Sequence, residues 1–106
     1  ADDQLGEVFA HDIRAAGVAF TTDVRPGQPT TARCLIFVTP DGQRTMNTYL
    51  GVSSLLQPSD IDEAAVAAGS VLYMEGYLYD RPAAKDAFRH AAAIAHANGR
   101  KVSLTL

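Results

Sequence analysis

Residues 70–106, SVLYMEGYLYDRPAAKDAFRHAAAIAHANGRKVSLTL, decide the fold class of this chain. They begin with an almost uninterrupted apolar run at 70–75, which is typical of a strand covered on both faces. The next stretch predicts a helix that starts at Asp80 or Arg81, tolerates proline in its first turn and ends at Asn98-Gly99. Residues 101–106 predict a second strand. A strand, a helix and a strand of these lengths call for two parallel strands joined by a right-handed crossover, the start of a doubly wound α/β sheet.

The first half of the chain predicts a helix, a strand and a hairpin. Apolar residues at helical spacing predict a helix that follows Asp2 or Asp3 as its cap and ends before Gly17. Residues 18–24 are rich in β-branched and aromatic side chains and predict a strand. Residues 34–51, CLIFVTPDGQRTMNTYLG, predict two antiparallel strands around a tight turn, in which Gly42 can adopt the left-handed conformation.

The domain organisation follows from this order of elements. A short helix capped by Ser59 or Asp60 and stopped by Gly69 precedes the strand–helix–strand unit. We therefore predict one domain over residues 1–106, with a strand and hairpin region at 18–51 and a helix and strand–helix–strand core at 59–106. A parallel sheet needs helices on both faces, and this sequence supplies few of them. We expect the chain to be a fragment of a larger α/β protein.

Composition and charge exclude several classes of function. The chain has 106 residues, 47% of them hydrophobic, and a formal net charge of -3. An acidic chain without a Lys/Arg cluster is not expected to bind nucleic acid or an anionic membrane. No apolar run approaches the length of a membrane span. The single cysteine cannot form an intramolecular disulfide, so we expect a reducing compartment, the cytoplasm.

Glu75 is the first candidate binding residue. It is a carboxylate at the end of an apolar strand and is followed at once by Gly76. In open α/β sheets ligands bind beyond the carboxyl ends of the strands, where a carboxylate can accept hydrogen bonds from sugar hydroxyls or hold a metal ion. The alternative is a structural carboxylate paired with an arginine or a helix terminus.

The hairpin is the second candidate site. A turn centred on Asp41 places Cys34 opposite Thr48 and Ile36 opposite Met46, all four on one face. Leu35, Phe37, Thr45 and Asn47 then lie on the other face. Periodicity alone favours a partly solvated edge hairpin. Cys34 lacks a basic partner nearby in the sequence, so we expect it to be a small buried hydrophobe. An exposed hairpin is also a surface on which a second copy of the chain could form a homodimer. The three histidines lack metal-ligand spacing and predict surface positions.

Four collinear strings carry a resemblance to a known family: ADDQLGEVFAHDIRAAGV (1–18), PTTARCLIFVTPDGQRTMNTYLG (29–51), VLYMEGYLYD (71–80) and AHANGRKVSLTL (95–106). In order and content they resemble the PfkB-type carbohydrate kinases, also called the ribokinase-like family, and most of all its adenosine-kinase-like branch. The resemblance implies an α/β, ribokinase-like fold. This fold has a Rossmann-like parallel sheet with helices and an antiparallel β-hairpin lid over the substrate.

The resemblance also implies a reaction. Members transfer the γ-phosphoryl group of ATP, with Mg²⁺, to a hydroxymethyl group of a sugar or nucleoside. Cys34 and Thr48 match lid residues that face the sugar, and Glu75 matches a carboxylate that hydrogen-bonds sugar hydroxyls. The substrate could be adenosine, ribose or a fructose-type sugar.

Several parts of the family's active site lie outside this chain. The diglycine substrate motif would precede Ala1, and the GAGD-type motif, with its anion hole and catalytic base, would follow Leu106. We therefore expect no catalytic residue in these 106 residues. We expect neither ATP nor Mg²⁺ to bind the fragment tightly, and we expect the isolated chain to be inactive. The alternative is a non-catalytic binding or assembly module with a kinase-like lid.

Overall fold

The computed structural model describes residues 1–105 as two compact units, Ala1–Ser53 and a second unit that starts at Ser54. The first unit contains one helix and one hairpin, and the second contains two helices and a pair of strands. The helices and strands are α1 (Gln4–Ala15), β1 (Arg33–Val38), β2 (Arg44–Tyr49), α2 (Glu63–Ala68), β3 (Val71–Glu75), α3 (Pro82–Ala97) and β4 (Lys101–Thr105). Short 3₁₀ turns cover Gly51–Leu55, Pro58–Asp60 and Gly76–Leu78.

The second unit confirms the predicted strand–helix–strand arrangement. Strands β3 and β4 are parallel, in a register that pairs Val71 with Lys101 and Glu75 with Thr105. Helix α3 connects them, starting with Pro82 at its first position and ending at Asn98, whose amide side chain donates to the Ile94 carbonyl at 2.9 Å. These features match the expected start and stop signals of the helix.

Helix α3 supplies the core of the second unit. Its buried side chains recur at helical spacing and are Ala84, Ala87, Phe88, Ala91 and Ala95. The ring of Phe88 contacts that of Tyr79 edge to face, with 5.4 Å between ring centroids. Small alanines let the helix approach the strands closely. Along β3, Leu72 and Met74 are half-buried while the alternate residues are exposed, so one face of this strand is open among the described residues.

The prediction that Ser59 or Asp60 caps α2 is wrong. Asp62 caps this helix, accepting a hydrogen bond from the Ala65 amide at 2.9 Å, whereas Ser59 and Asp60 lie in the preceding 3₁₀ turn. The reason is local. The Asp60 carboxylate accepts from the Gln57 amide at 2.9 Å, and this contact closes the turn before the chain extends into Asp62.

The first unit confirms the predicted hairpin and the cap of α1. Strands β1 and β2 are antiparallel, with Cys34 opposite Thr48 and Ile36 opposite Met46, as the turn position predicted. The turn closes through hydrogen bonds between Thr39 and Gln43, and Gly42 has φ +82°. Asp3 caps α1.

The strand predicted at residues 18–24 does not form. These residues have no regular secondary structure. The side chain of Arg14 donates two hydrogen bonds to the Phe20 carbonyl, at 3.1 and 3.2 Å, and the Phe20 ring packs on Phe9 with 5.5 Å between centroids. Side chains of α1 therefore contact the backbone carbonyl and the ring of Phe20, and this carbonyl is not available to a neighbouring strand. Within residues 1–105 no helix is long and apolar enough to cross a membrane.

Candidate functional site

Glu75 lies where the sequence placed it, at the carboxyl end of β3. Its backbone is extended, and the 3₁₀ turn Gly76–Leu78 begins directly after it. The carboxylate is exposed, and its Oε1 accepts a long hydrogen bond of 3.4 Å from the Tyr73 hydroxyl. Among the described residues no lysine or arginine forms an ion pair with Glu75. Of the two structural alternatives, the described residues provide no arginine partner, and the Glu75 side chain makes no hydrogen bond that caps the turn after it.

A groove of about 390 Å³ runs alongside Glu75 in the second unit. Its lining residues include the apolar Leu72, Met74 and Phe88 and also Tyr73, Glu75 and Tyr77. The Tyr77 side chain is 76% exposed. An apolar surface beside a free carboxylate can hold a ring while the carboxylate accepts hydrogen bonds from hydroxyl groups.

The hairpin brings Cys34 and Thr48 into direct contact. The Cys34 Sγ lies 3.2 Å from the Thr48 Oγ1, and both side chains are exposed. The prediction of Cys34 as a buried hydrophobe is therefore wrong, because nothing in the described part of the chain covers this strand. Ile36 and Met46 share the face and are 55% and 62% exposed. The face thus combines a hydroxyl and a thiol near the hairpin base with an apolar surface nearer the turn.

Asp3 has contacts that the sequence did not reveal. Its Oδ1 accepts from the Gly6 amide at 2.8 Å, as expected of a cap, and also from the Thr31 hydroxyl at 2.7 Å. Its Oδ2 accepts from the Thr31 amide at 2.7 Å. The hydrogen bonds from Thr31, together with that from Gly6, lower the pKa of the Asp3 carboxyl to about 2. The partners lie 28 residues apart, so no local pattern could have identified this contact.

Two other acidic groups accept hydrogen bonds from residues of their own unit. The Thr39 hydroxyl, followed by the Gln43 amide, lowers the pKa of the Asp41 carboxyl in the hairpin turn. The Glu63 carboxylate accepts a hydrogen bond from His90 Nε2 at 3.0 Å. No group of three or more histidine, cysteine, aspartate or glutamate side chains within residues 1–105 is arranged to hold a metal ion.

Comparison with known proteins identifies the family. The model of the pfkB family of carbohydrate kinases matches residues 1–105, practically the whole chain. This chain belongs to the pfkB family. Its ribokinase-like α/β fold, a parallel sheet with helices and an antiparallel hairpin, confirms the fold expected from the sequence.

Solved structures support the assignment to the pfkB family. The adenosine kinase of Sinorhizobium meliloti is 59% identical to this chain, with a TM-score of 0.93, and the alignment covers 100% of this chain and 32% of that protein. A probable sugar kinase protein of Rhizobium etli CFN 42 is 53% identical, with a TM-score of 0.93 and coverage of 100% and 32%. An E. coli structure described provisionally as ribokinase II, with ATP and Mg²⁺, shares the fold at 24% identity, with a TM-score of 0.75 and coverage of 97% and 33%.

This pfkB chain therefore spans about a third of the length of the solved structures that it matches. No curated protein sequence matches it significantly.

Proposed function

We propose that this chain is part of a longer polypeptide, here called the parent polypeptide, that phosphorylates a hydroxymethyl group of a nucleoside or sugar with ATP. The observation that carries the proposal is the pfkB match over residues 1–105 together with 59% identity to a protein described as an adenosine kinase. Within this reaction we assign substrate binding to Glu75, Cys34 and Thr48.

The hairpin face supports a role as substrate lid. The Thr48 hydroxyl and the Cys34 thiol lie side by side at the surface, with 3.2 Å between Oγ1 and Sγ. Both groups can donate hydrogen bonds to a sugar and accept hydrogen bonds from it. Ile36 and Met46 add exposed apolar area on the same face. A flat heteroaromatic base would cover that area and a free sugar would not, so we favour a nucleoside such as adenosine over ribose or fructose.

Glu75 is proposed to accept hydrogen bonds from sugar hydroxyls. Its carboxylate is exposed and has no cationic partner among the described residues, which leaves lone pairs for a ligand. A hydrogen bond to a charged carboxylate contributes about 1.5–3 kcal/mol.

ATP and Mg²⁺ are proposed to bind the rest of the parent polypeptide. The described residues do not fit a metal ion on their own, because no three potential ligand side chains converge. The sequence also contains neither of the usual glycine-rich phosphate-binding motifs. We therefore propose that this chain contributes substrate contacts, and that the chain alone does not transfer phosphoryl groups.

The experiment is an ADP-release assay on the parent polypeptide with adenosine, ribose and fructose, using wild type and Glu75→Gln. We expect adenosine to be the best substrate and Glu75→Gln to lower kcat/KM about 10- to 100-fold, the equivalent of one charged hydrogen bond. The matched control is Glu7→Gln, an exposed carboxylate on α1. Equal kcat/KM values for wild type and Glu75→Gln would rule out the sugar contact.

The isolated chain provides a second test. We expect no ATP- and substrate-dependent ADP release from residues 1–106, and measurable turnover would refute its proposed dependence on the parent polypeptide. The alternative function, a non-catalytic binding or assembly module, would be supported by a parent polypeptide that binds adenosine without releasing ADP.

We also propose that the hairpin contacts a second copy of the protein. Its other face carries Leu35 and Phe37, which are 58% and 61% exposed. Sedimentation velocity over a concentration series should detect a dimer that Phe37→Glu weakens. Val24→Glu, at an exposed position outside the hairpin, should leave it intact. A wild-type protein that stays monomeric throughout would contradict this proposal.

A further inference from the structure

The two arms of the hairpin meet at a tightly packed base, here called the hairpin root: Thr30, Thr31, Gly51 and Val52. The Val52 amide donates to the Thr30 carbonyl at 3.0 Å. Gly51 is buried, has φ +54° and lies so close to the entering arm that a Cβ would be 2.1 Å from the Thr30 oxygen. The arms are therefore held together at the root by backbone contacts that leave no space for a side chain.

Asp3 ties this root to the N-terminus of α1. Both of its carboxylate oxygens contact Thr31: Oδ1 accepts from the hydroxyl and Oδ2 from the amide, each at 2.7 Å. Hydrogen bonds to an ionised carboxylate are shorter and stronger than those between neutral groups. They also lower the pKa of the Asp3 carboxyl to about 2.

Gly6 makes this approach feasible. A Cβ at Gly6 would lie 3.0 Å from the Thr31 Oγ1 and 3.3 Å from the Asp3 Oδ1. The tightest contact, 2.5 Å, would be with the Ala1 carbonyl oxygen, so the absence of a side chain at Gly6 leaves room both for the N-terminal backbone and for Thr31.

The Asp3 contacts exceed what a helix cap requires. Asp62 is the same residue type at the cap of α2, and among the described residues its side chain accepts one hydrogen bond, from the Ala65 amide at 2.9 Å. Asp3 caps α1 through Gly6 and uses its remaining hydrogen-bonding capacity on Thr31. Capping alone does not explain the second set of contacts.

We propose that Asp3 is a positioning residue for the substrate-facing side of the hairpin, acting through Thr31. The link to substrate rests on the function proposed above. Thr31 lies two residues before β1 and three before Cys34, which is about 10 Å along an extended chain. A rotation of about 10° at the root would displace Cys34 by about 1.7 Å, and displacements of this size affect the binding and orientation of a substrate strongly.

Asp3→Asn in the parent polypeptide tests this role selectively. Asparagine keeps one oxygen for the helix cap and presents an amide group, a donor, to the Thr31 amide. Thr31→Val removes only the hydroxyl contact. The matched control is Asp12→Asn, which removes an equal charge from an exposed position on α1, where the side chain contacts His11.

The first readout is deuterium exchange of residues 31–49. We expect at least a several-fold faster exchange of β1 and β2 in Asp3→Asn, a smaller increase in Thr31→Val and none in Asp12→Asn. The second is steady-state kinetics with adenosine. We expect KM for adenosine to rise about 10-fold in Asp3→Asn. KM for ATP should stay the same, because ATP is not assigned to the hairpin.

The outcomes separate this proposal from the proposed function. Unchanged exchange in Asp3→Asn overturns the positioning role, and so does faster exchange with an unchanged KM for adenosine. If the wild-type parent polypeptide releases no ADP with adenosine, ribose or fructose, the proposed function fails. The exchange data then decide by themselves whether Asp3 holds the hairpin.

Discussion

Gly51→Ala should destabilise the protein more than any alanine substitution at its other left-handed glycines. Two costs add up at this position. An alanine at φ +54° pays the left-handed penalty of about 1 kcal/mol. Its Cβ would also lie 2.1 Å from the Thr30 oxygen and 3.2 Å from the Ala32 nitrogen, both backbone atoms that cannot move without moving the hairpin root. Overpacking of this kind costs a further 1–3 kcal/mol or so, giving roughly 2–4 kcal/mol in total.

Comparison of Gly51→Ala with Gly27→Ala isolates the second cost, the steric one. Gly27 has φ +70°, and nothing lies within 4 Å of the Cβ position, so only the left-handed penalty of about 1 kcal/mol applies. Urea denaturation of the parent polypeptide and of both variants would give the difference directly, and we expect Gly51→Ala to be less stable than Gly27→Ala by about 1–3 kcal/mol. Equal free energies of unfolding would refute the close packing of the hairpin root.

Three further predictions concern the core, the lid and acid. Phe88→Ala should lower the free energy of unfolding by about 3–5 kcal/mol, because the ring is buried against Tyr79; a loss below about 1 kcal/mol in urea denaturation would contradict this packing. Saturating adenosine should slow alkylation of the exposed Cys34 by iodoacetamide, measured by peptide mass spectrometry, and an unchanged rate would argue against a lid role. Because the pKa of Asp3 falls from 3.8 to about 2 on folding, its contribution to stability is complete above pH 3.8 and is lost towards pH 2. Thr31→Val should flatten this acid dependence of the urea midpoint, and an unaltered dependence would exclude the Thr31 contact as its cause.

Local patterns in the sequence were sufficient to predict most of the helices and strands and the register of the hairpin. The turn signal in TPDG fixed the pairing of Cys34 with Thr48, because each further step along one arm is matched by one step along the other. The apolar run, the helix and the final strand likewise required a parallel pair, and β3 and β4 form one. In each case the prediction rests on residues within the elements themselves or in the turn that joins them.

The errors concern contacts between distant residues. Residues 18–24 have strand-like composition, but Arg14 occupies the Phe20 carbonyl. Composition also suggested burial for Cys34, whereas burial depends on what covers the strand, and no described residue does. The hydrogen bonds between Asp3 and Thr31 join the predicted cap to a residue 28 positions away, so the sequence identified the cap and not its distant partner.

The structure of the hairpin implies that its tip and its root determine different features of its geometry. Every residue of β1 and β2 is exposed, and a two-stranded hairpin without a buried face is marginally stable in water. Within the described residues, the contacts that order it therefore lie at its ends. At the tip the Thr39–Gln43 turn sets the register, and at the root Asp3 and Gly51 fix the direction. The strand faces between them are left free to carry the thiol, hydroxyl and apolar groups that a substrate would contact. Substitutions on those faces should alter which nucleoside or sugar is bound, whereas substitutions at the root should weaken the binding of every nucleoside or sugar and leave that of ATP unchanged.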